Sequence, residues 1–256
     1  MPNPLAKALR CVGILVCFAA NAFSQSPTTF QLTGVQGATL PVGAVYTSPY
    51  YATIGSTTNV AVICDDFADD TYFNESWLAY VTDLSSINST TNPLMWASGG
   101  LSGSIGSTLG EDTAYTVAAY LAMEIMTTAQ GSGDQQVLSY AMWGLFDPSA
   151  FTYLSNNGLG NDVTQAQNDI TYAYTQVKDD GLNFSNFAAK TGDTITIYSY
   201  DTGATCSGSP CPTAPPQEFI KVSMAEPAYP AMLAVDLLAV VGLVVGFRRR
   251  MPMLRS

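Results

Sequence analysis

The sequence predicts an α+β fold, with a β-rich N-terminal part, a helical insertion, closing β-strands and one transmembrane helix at the C-terminal end. Three observations predict it. Between Thr28 and Ile63, short apolar and β-branched stretches alternate with Gly and Pro. Between Asp112 and Lys178, apolar residues dominate or recur every three and four positions, and after Thr194 two stretches return to a strand pattern. Strands followed by helices and then more strands place the helices together beside an antiparallel sheet.

In the first region the expected strands are Phe30-Gln31-Leu32, Val42 to Tyr46, Tyr50 to Ile54 and Val60 to Ile63, the last leading to Cys64 and reading as buried. An acidic run follows, Asp65, Asp66, Asp69 and Asp70, then an apolar, aromatic segment around Trp77, Leu78, Tyr80 and Val81. Ser85 to Leu109 is rich in Ser, Gly and Asn and reads as a long functional or mobile loop carrying an exposed Trp96. Asp112 or Thr113 then caps a helix to Thr127 that is apolar nearly all round and therefore buried. Asp134 caps a second helix, Gln135 to Phe146, which Asp147-Pro148 stops. A third runs from Val163 to Lys178, with Val163, Ala166, Ile170, Ala173 and Val177 on one face. Thr194 to Tyr200 and Glu218 to Met224 are the closing strands.

Both ends carry an address. Lys7 and Arg10 precede the apolar run Cys11 to Ala20, and Asn21-Ala22-Phe23-Ser24 supplies small residues before Gln25, so residues 1–24 read as a secretory signal peptide. Residues 25–224 are then an extracytoplasmic domain, and 225–256 a sorting or anchoring tail. The apolar segment Ala231 to Phe247 is just long enough to span a bilayer. Arg248, Arg249 and Arg250 hold its end in the cytoplasm. The order Ala225-Glu226-Pro227, one helix, then Arg248-Arg249-Arg250 resembles the PEP-CTERM sorting signal of Gram-negative bacteria. In this chain Ala225 stands where that motif has its first proline, and Met251 to Ser256 extend past the arginines. The resemblance implies an exosortase-type sorting enzyme as partner and an inner-membrane stop before processing and release to the cell surface or matrix.

Composition narrows the chemistry. Between Gln25 and Met224 there are three lysines, Lys178, Lys190 and Lys221, against 18 carboxylates, a formal charge of −15 that excludes nucleic acid as a partner. Charged residues make up only 11% of the chain, leaving a neutral polar surface. The chain has no histidine, which removes Ser-His-Asp and Cys-His nucleophile systems and His-ligated metals. There is no Gly-rich phosphate loop and no metal-ligand spacing, so no cofactor or metal is expected. The Asp65 to Asp70 run lacks the alternate spacing and turn Gly of a calcium loop and reads as a solvated acidic turn.

The cysteines divide by context. Cys206 and Cys211 flank a Pro/Gly loop and, outside the cytoplasm, are expected to form a small disulfide. That leaves Cys64 as the odd thiol after signal cleavage. Val62-Ile63-Cys64-Asp65-Asp66-Phe67, with Ala141-Met142-Trp143 on a later helix, resembles the thioester domains of Gram-positive surface adhesins. In those domains a Cys and a Gln four residues before the helical Trp form an internal thioester that captures amines. Ser139 occupies that position here, and Gln135 or Gln136, one turn earlier, would have to serve instead. The alternative is a buried structural thiol at Cys64.

Together these readings lead to a non-catalytic, exported surface or matrix protein, adhesive or structural, with envelope or extracellular polysaccharide as partner. Two alternatives stand beside it: a covalent adhesin using a Cys64 thioester, and a carbohydrate-active enzyme using paired carboxylates.

Overall fold

The structure is a computed structural model that describes residues 27–35, 45–87, 94–157, 160–201, 212 and 214–224. The segments expected to form a signal peptide, the Cys206–Cys211 disulfide and the sorting tail with its transmembrane helix lie outside the described residues. Within them the chain is mixed α+β. Six strands, β1 (Thr28–Val35), β2 (Tyr50–Ile54), β3 (Thr57–Cys64), β4 (Ser76–Asp83), β5 (Thr194–Tyr200) and β6 (Phe219–Ser223), close into an antiparallel barrel ordered β1-β2-β3-β6-β5-β4. Closure through the β4–β1 pairing, from Thr28 opposite Ala79 to Gln31 opposite Ser76, leaves the sheet no open edge.

Large aromatic side chains fill the barrel. Phe30 packs on Trp77, Tyr198 and Phe219 at centroid separations of 4.8, 5.5 and 5.0 Å, and Tyr50 meets Phe219 edge-on at 6.0 Å. Side chains alternate along a strand, so a strand buried on one face shows period two. At its C-terminal end β3 breaks that pattern, because Val62, Ile63 and Cys64 are all buried. The barrel covers one face there and the helices cover the other, which explains the unbroken apolar run Val60 to Ile63.

Between β4 and β5 come α1 (Ile105–Leu109), α2 (Glu111–Thr127), α3 (Gly133–Phe146), α4 (Ser149–Asn156), α5 (Gly160–Asp179) and α6 (Phe187–Thr191). The three long helices lie where periodicity puts them. Their starts differ in detail: Gly110, not Asp112 or Thr113, is the N-cap of α2, and Ser132, not Asp134, caps α3 by accepting from the Gln135 N–H at 3.1 Å. Asp134 instead sits in the first turn, where its charge suits the helix dipole. α2 and α3 are buried almost throughout, while α5 buries Ala166, Ile170, Ala173 and Val177 and leaves its other face to solvent.

Several expectations need correction. Val45 forms only an isolated bridge, and residues 46–49 leading into β2 are not strand; 41–44 lie outside the described residues. The aromatic segment around Trp77 is strand β4. Of the expected loop from 85 to 109, residues 88–93 lie outside the described residues, and from 94 on the chain is packed: α1 occupies its end, and Trp96 is 4% exposed, stacked on Phe146 at 5.6 Å and 7°. The glycines there serve close packing. A Cβ on Gly106 would lie 2.1 Å from the Gly99 carbonyl oxygen and 2.8 Å from that of Leu145, so only Gly permits this contact with the end of α3.

Candidate functional site

Two neighbouring features meet where the helices cover the end of the barrel. One is a buried acidic network, the other an open groove.

The network begins at the first two acids of the run, which turn inward: Asp65 and Asp66 are both 0% exposed, not solvated. Asp65 continues β3 and its backbone N–H meets the Glu218 carbonyl at 3.4 Å. The two side-chain carboxyls lie close enough to repel each other, and both Asp65 carboxyl oxygens are buried without a hydrogen-bond partner among the described residues. Two carboxylates cannot share a dry site with both ionised. Burial, followed by the nearby Glu218 carboxyl, pushes the Asp65 carboxyl well up. Glu218 receives three donors: the Tyr115 hydroxyl of α2, the Ser199 hydroxyl of β5, and the Met95 N–H at 2.9 Å. Tyr115 in turn accepts from the Trp96 N–H at 3.0 Å. Through its carboxylate and its backbone carbonyl, Glu218 thus ties together β3, β5, β6, α2 and the segment around Met95.

Asp66 has a different task. Its Oδ1 accepts from the Ala68 N–H at 2.7 Å and the Asp69 N–H at 3.4 Å, fixing the turn after β3. Burial pushes it up to about 8, against the pull of those donors. Gln217 fastens the same turn from the other side. Its Nε2 donates to the Asp66 carbonyl at 2.8 Å and its N–H to Thr71 Oγ1 at 2.9 Å.

The turn so held presents Asp69 and Asp70 to a groove of about 500 Å³. Trp143, Phe67 and Tyr153 line its inner part, with Phe67 at 5.3 Å from Trp143 and 5.6 Å from Tyr153. At its mouth stand Tyr72, Phe73 and Tyr46, which are 63%, 38% and 40% exposed. The Tyr46 and Phe73 rings are paired at 5.5 Å. Exposed aromatic rings converging on one cleft are a common mark of ligand sites in otherwise polar surfaces.

Cys64 lies behind this groove and is free and 0% exposed. Its Sγ contacts the Asp66 carbonyl at 3.0 Å, and its N–H donates to Ser48 Oγ at 3.1 Å. Burial, then the charges of Asp66 and Asp65, push the thiol well up, although the Asp66 backbone and Trp143 act the other way. A thiol held neutral and dry is a poor nucleophile. Of the two glutamines one turn before Ser139, Gln135 is committed elsewhere: its Nε2 donates to the Ile125 carbonyl at 3.0 Å and its Oε1 accepts from the Gly131 N–H at 2.8 Å. Gln135 is also two turns from Trp143, about 12 Å along α3. Ser139, at the expected position, donates to the Gln135 carbonyl at 3.0 Å. Iodoacetamide should therefore leave Cys64 unmodified in the folded protein and alkylate it in concentrated urea, as read by peptide mapping; labelling of the folded protein at the unfolded rate would contradict its burial.

Among the described residues no three His, Cys, Asp or Glu side chains are grouped to hold a metal ion, and no helix is long and apolar enough to cross a membrane. No protein-family model, no curated protein and no solved structure matches the chain. Fold and site together define a closed antiparallel barrel whose helical insertion builds one wall of an aromatic, acidic groove.

Proposed function

We propose that this is an exported, non-catalytic surface or matrix protein whose groove holds an extracellular polysaccharide. In this reading residues 1–24 direct export and residues 25–224 form the extracytoplasmic domain. The 231–247 helix anchors the chain in the inner membrane. An exosortase-type enzyme recognises Ala225, Glu226 and Pro227 together with Arg248, Arg249 and Arg250, and releases the domain to the cell surface or matrix. The observation that carries the binding role is the groove itself, with Tyr72, Phe73 and Tyr46 exposed at its mouth beside Asp69 and Asp70. Aromatic faces take the apolar faces of sugar rings, and carboxylates accept from their hydroxyls.

The two alternatives fit the geometry less well. A thioester needs a carboxamide at the Cys64 sulfur, and Gln135 is engaged at the far end of α3. Glycoside cleavage needs carboxyls roughly 5 to 9.5 Å apart on either side of a sugar. Asp65 and Glu218 instead face each other in the closed interior, 0% and 1% exposed, with no cleft between them for a sugar.

Replacing Tyr72 and Phe73 together by Ala should weaken binding to the host's own matrix polysaccharide about tenfold or more. The fold should be kept, because Tyr72 and Phe73 are 63% and 38% exposed and neither belongs to the core that joins barrel and helices. Cys64→Ala should leave binding unchanged. Equal binding by the double variant and wild type, measured by cosedimentation, would remove the groove from the reading.

A further inference from the structure

Among the described residues, no basic side chain lines the groove beside its acids. Asp69 and Asp70 are adjacent in sequence, line the same wall and have no lysine or arginine beside them in the lining. None of Lys178, Lys190 and Lys221 reaches it, and residues 36–44 and 202–213 contain no basic residue that could supply a cation. Burial and the neighbouring Asp70 charge both push the Asp69 carboxyl up. Around these two carboxylates stand Tyr46, Phe67, Tyr72 and Phe73, whose ring faces carry negative potential. Carboxylates and aromatic faces in one cleft recognise a cation with apolar flanks, which an alkylammonium supplies and a neutral or anionic sugar does not.

We propose that the groove selects an amine-bearing, cationic polysaccharide, with the ammonium of an amino sugar set against Asp69 and Asp70 and its pyranose face on Tyr72 or Phe73. This rests on the polysaccharide reading above and names its ligand class. The ectodomain's formal charge of −15 would draw such a polymer in and repel acidic ones.

The full chain, kept in mild detergent, can be titrated calorimetrically with a glucosamine oligomer, its N-acetylated counterpart of equal length, and oligolysine. The expected result is that the glucosamine oligomer binds about tenfold more tightly than the acetylated one. That preference should weaken as salt rises and disappear in Asp69→Asn/Asp70→Asn, whose unchanged melting temperature would show that the fold is kept. Acetylated oligomer binding as tightly as the free amine, through Tyr72 and Phe73, would overturn the charge selection and leave the groove reading standing. Oligolysine binding as tightly as the glucosamine oligomer would overturn the sugar part of the proposal. Silence from both sugars would overturn it together with the polysaccharide reading.

Discussion

Glu218→Ala is expected to lose about 3 to 5 kcal/mol of folding stability, enough to unfold a domain of ordinary stability at moderate temperature. The reason lies in what it strands. The Tyr115 hydroxyl, the Ser199 hydroxyl and the Met95 N–H all point at the Glu218 carboxylate. Each buried donor left without an acceptor costs about 1 to 3 kcal/mol. The loss would fall where barrel and helices are joined, so both should unfold in one transition. Glu218→Gln keeps the shape and one acceptor oxygen, and its amide can donate to the Tyr115 hydroxyl, which can accept as well as donate. Its cost should stay under about 1.5 kcal/mol, the range of a well-accommodated polar swap. Urea unfolding of both variants, followed by far-ultraviolet circular dichroism, makes the comparison. Equal stability of the Ala variant and wild type would mean that Glu218 does not join the two halves.

The second large effect is a stability that rises on acidification. Asp66 is pushed from its ordinary 3.8 to about 8 by burial, and Asp65 is pushed upward by burial and by Glu218. A raised carboxyl binds a proton in the folded state that the unfolded chain has already released. The stabilisation is therefore fully present below the unfolded value and is lost as pH rises through the folded one. For Asp66 that window runs from 3.8 to about 8. Stability should fall by roughly 1 kcal/mol per pH unit between about pH 5 and about pH 8. Relief of repulsion among the 18 carboxylates of residues 25–224 acts in the same direction. Asp66→Asn keeps an oxygen for the Ala68 and Asp69 N–H groups and removes the titration, so it should flatten the slope and be more stable than wild type at the alkaline end. Thermal melts across the range test this; a stability that rises with pH would refute the assignment of a buried proton.

What was legible in the sequence was what is local. α2, α3 and α5 follow from apolar spacing, and β5 and β6 from β-branched runs. What was not legible depended on partners far along the chain. Asp65 and Asp66 look like surface residues because nothing near them in sequence can pair a buried acid. Their partners, Glu218 and Gln217, come about 150 residues later, at the start of β6. Trp96 sat among Ser, Gly and Asn and so read as exposed, yet those glycines allow the segment to press against Phe146. The groove was missed for a related reason. Tyr46 comes from the approach to β2, Tyr72 and Phe73 from the turn before β4, and Trp143 and Tyr153 from α3 and α4. The local signal was present: two large aromatics directly after Asp69-Asp70-Thr71, in a segment with no apolar period to make them core.

The central claim is that the groove between the 67–73 turn and the helical insertion is where this protein holds its ligand. Hydrogen–deuterium exchange of the protein with and without the host's matrix polysaccharide tests it most directly. The account predicts slower exchange confined to the backbone of residues 67–73 and of Tyr46, with the barrel strands unchanged. Protection appearing on the far side of the barrel or on the exposed face of α5, with none at 67–73, would contradict it.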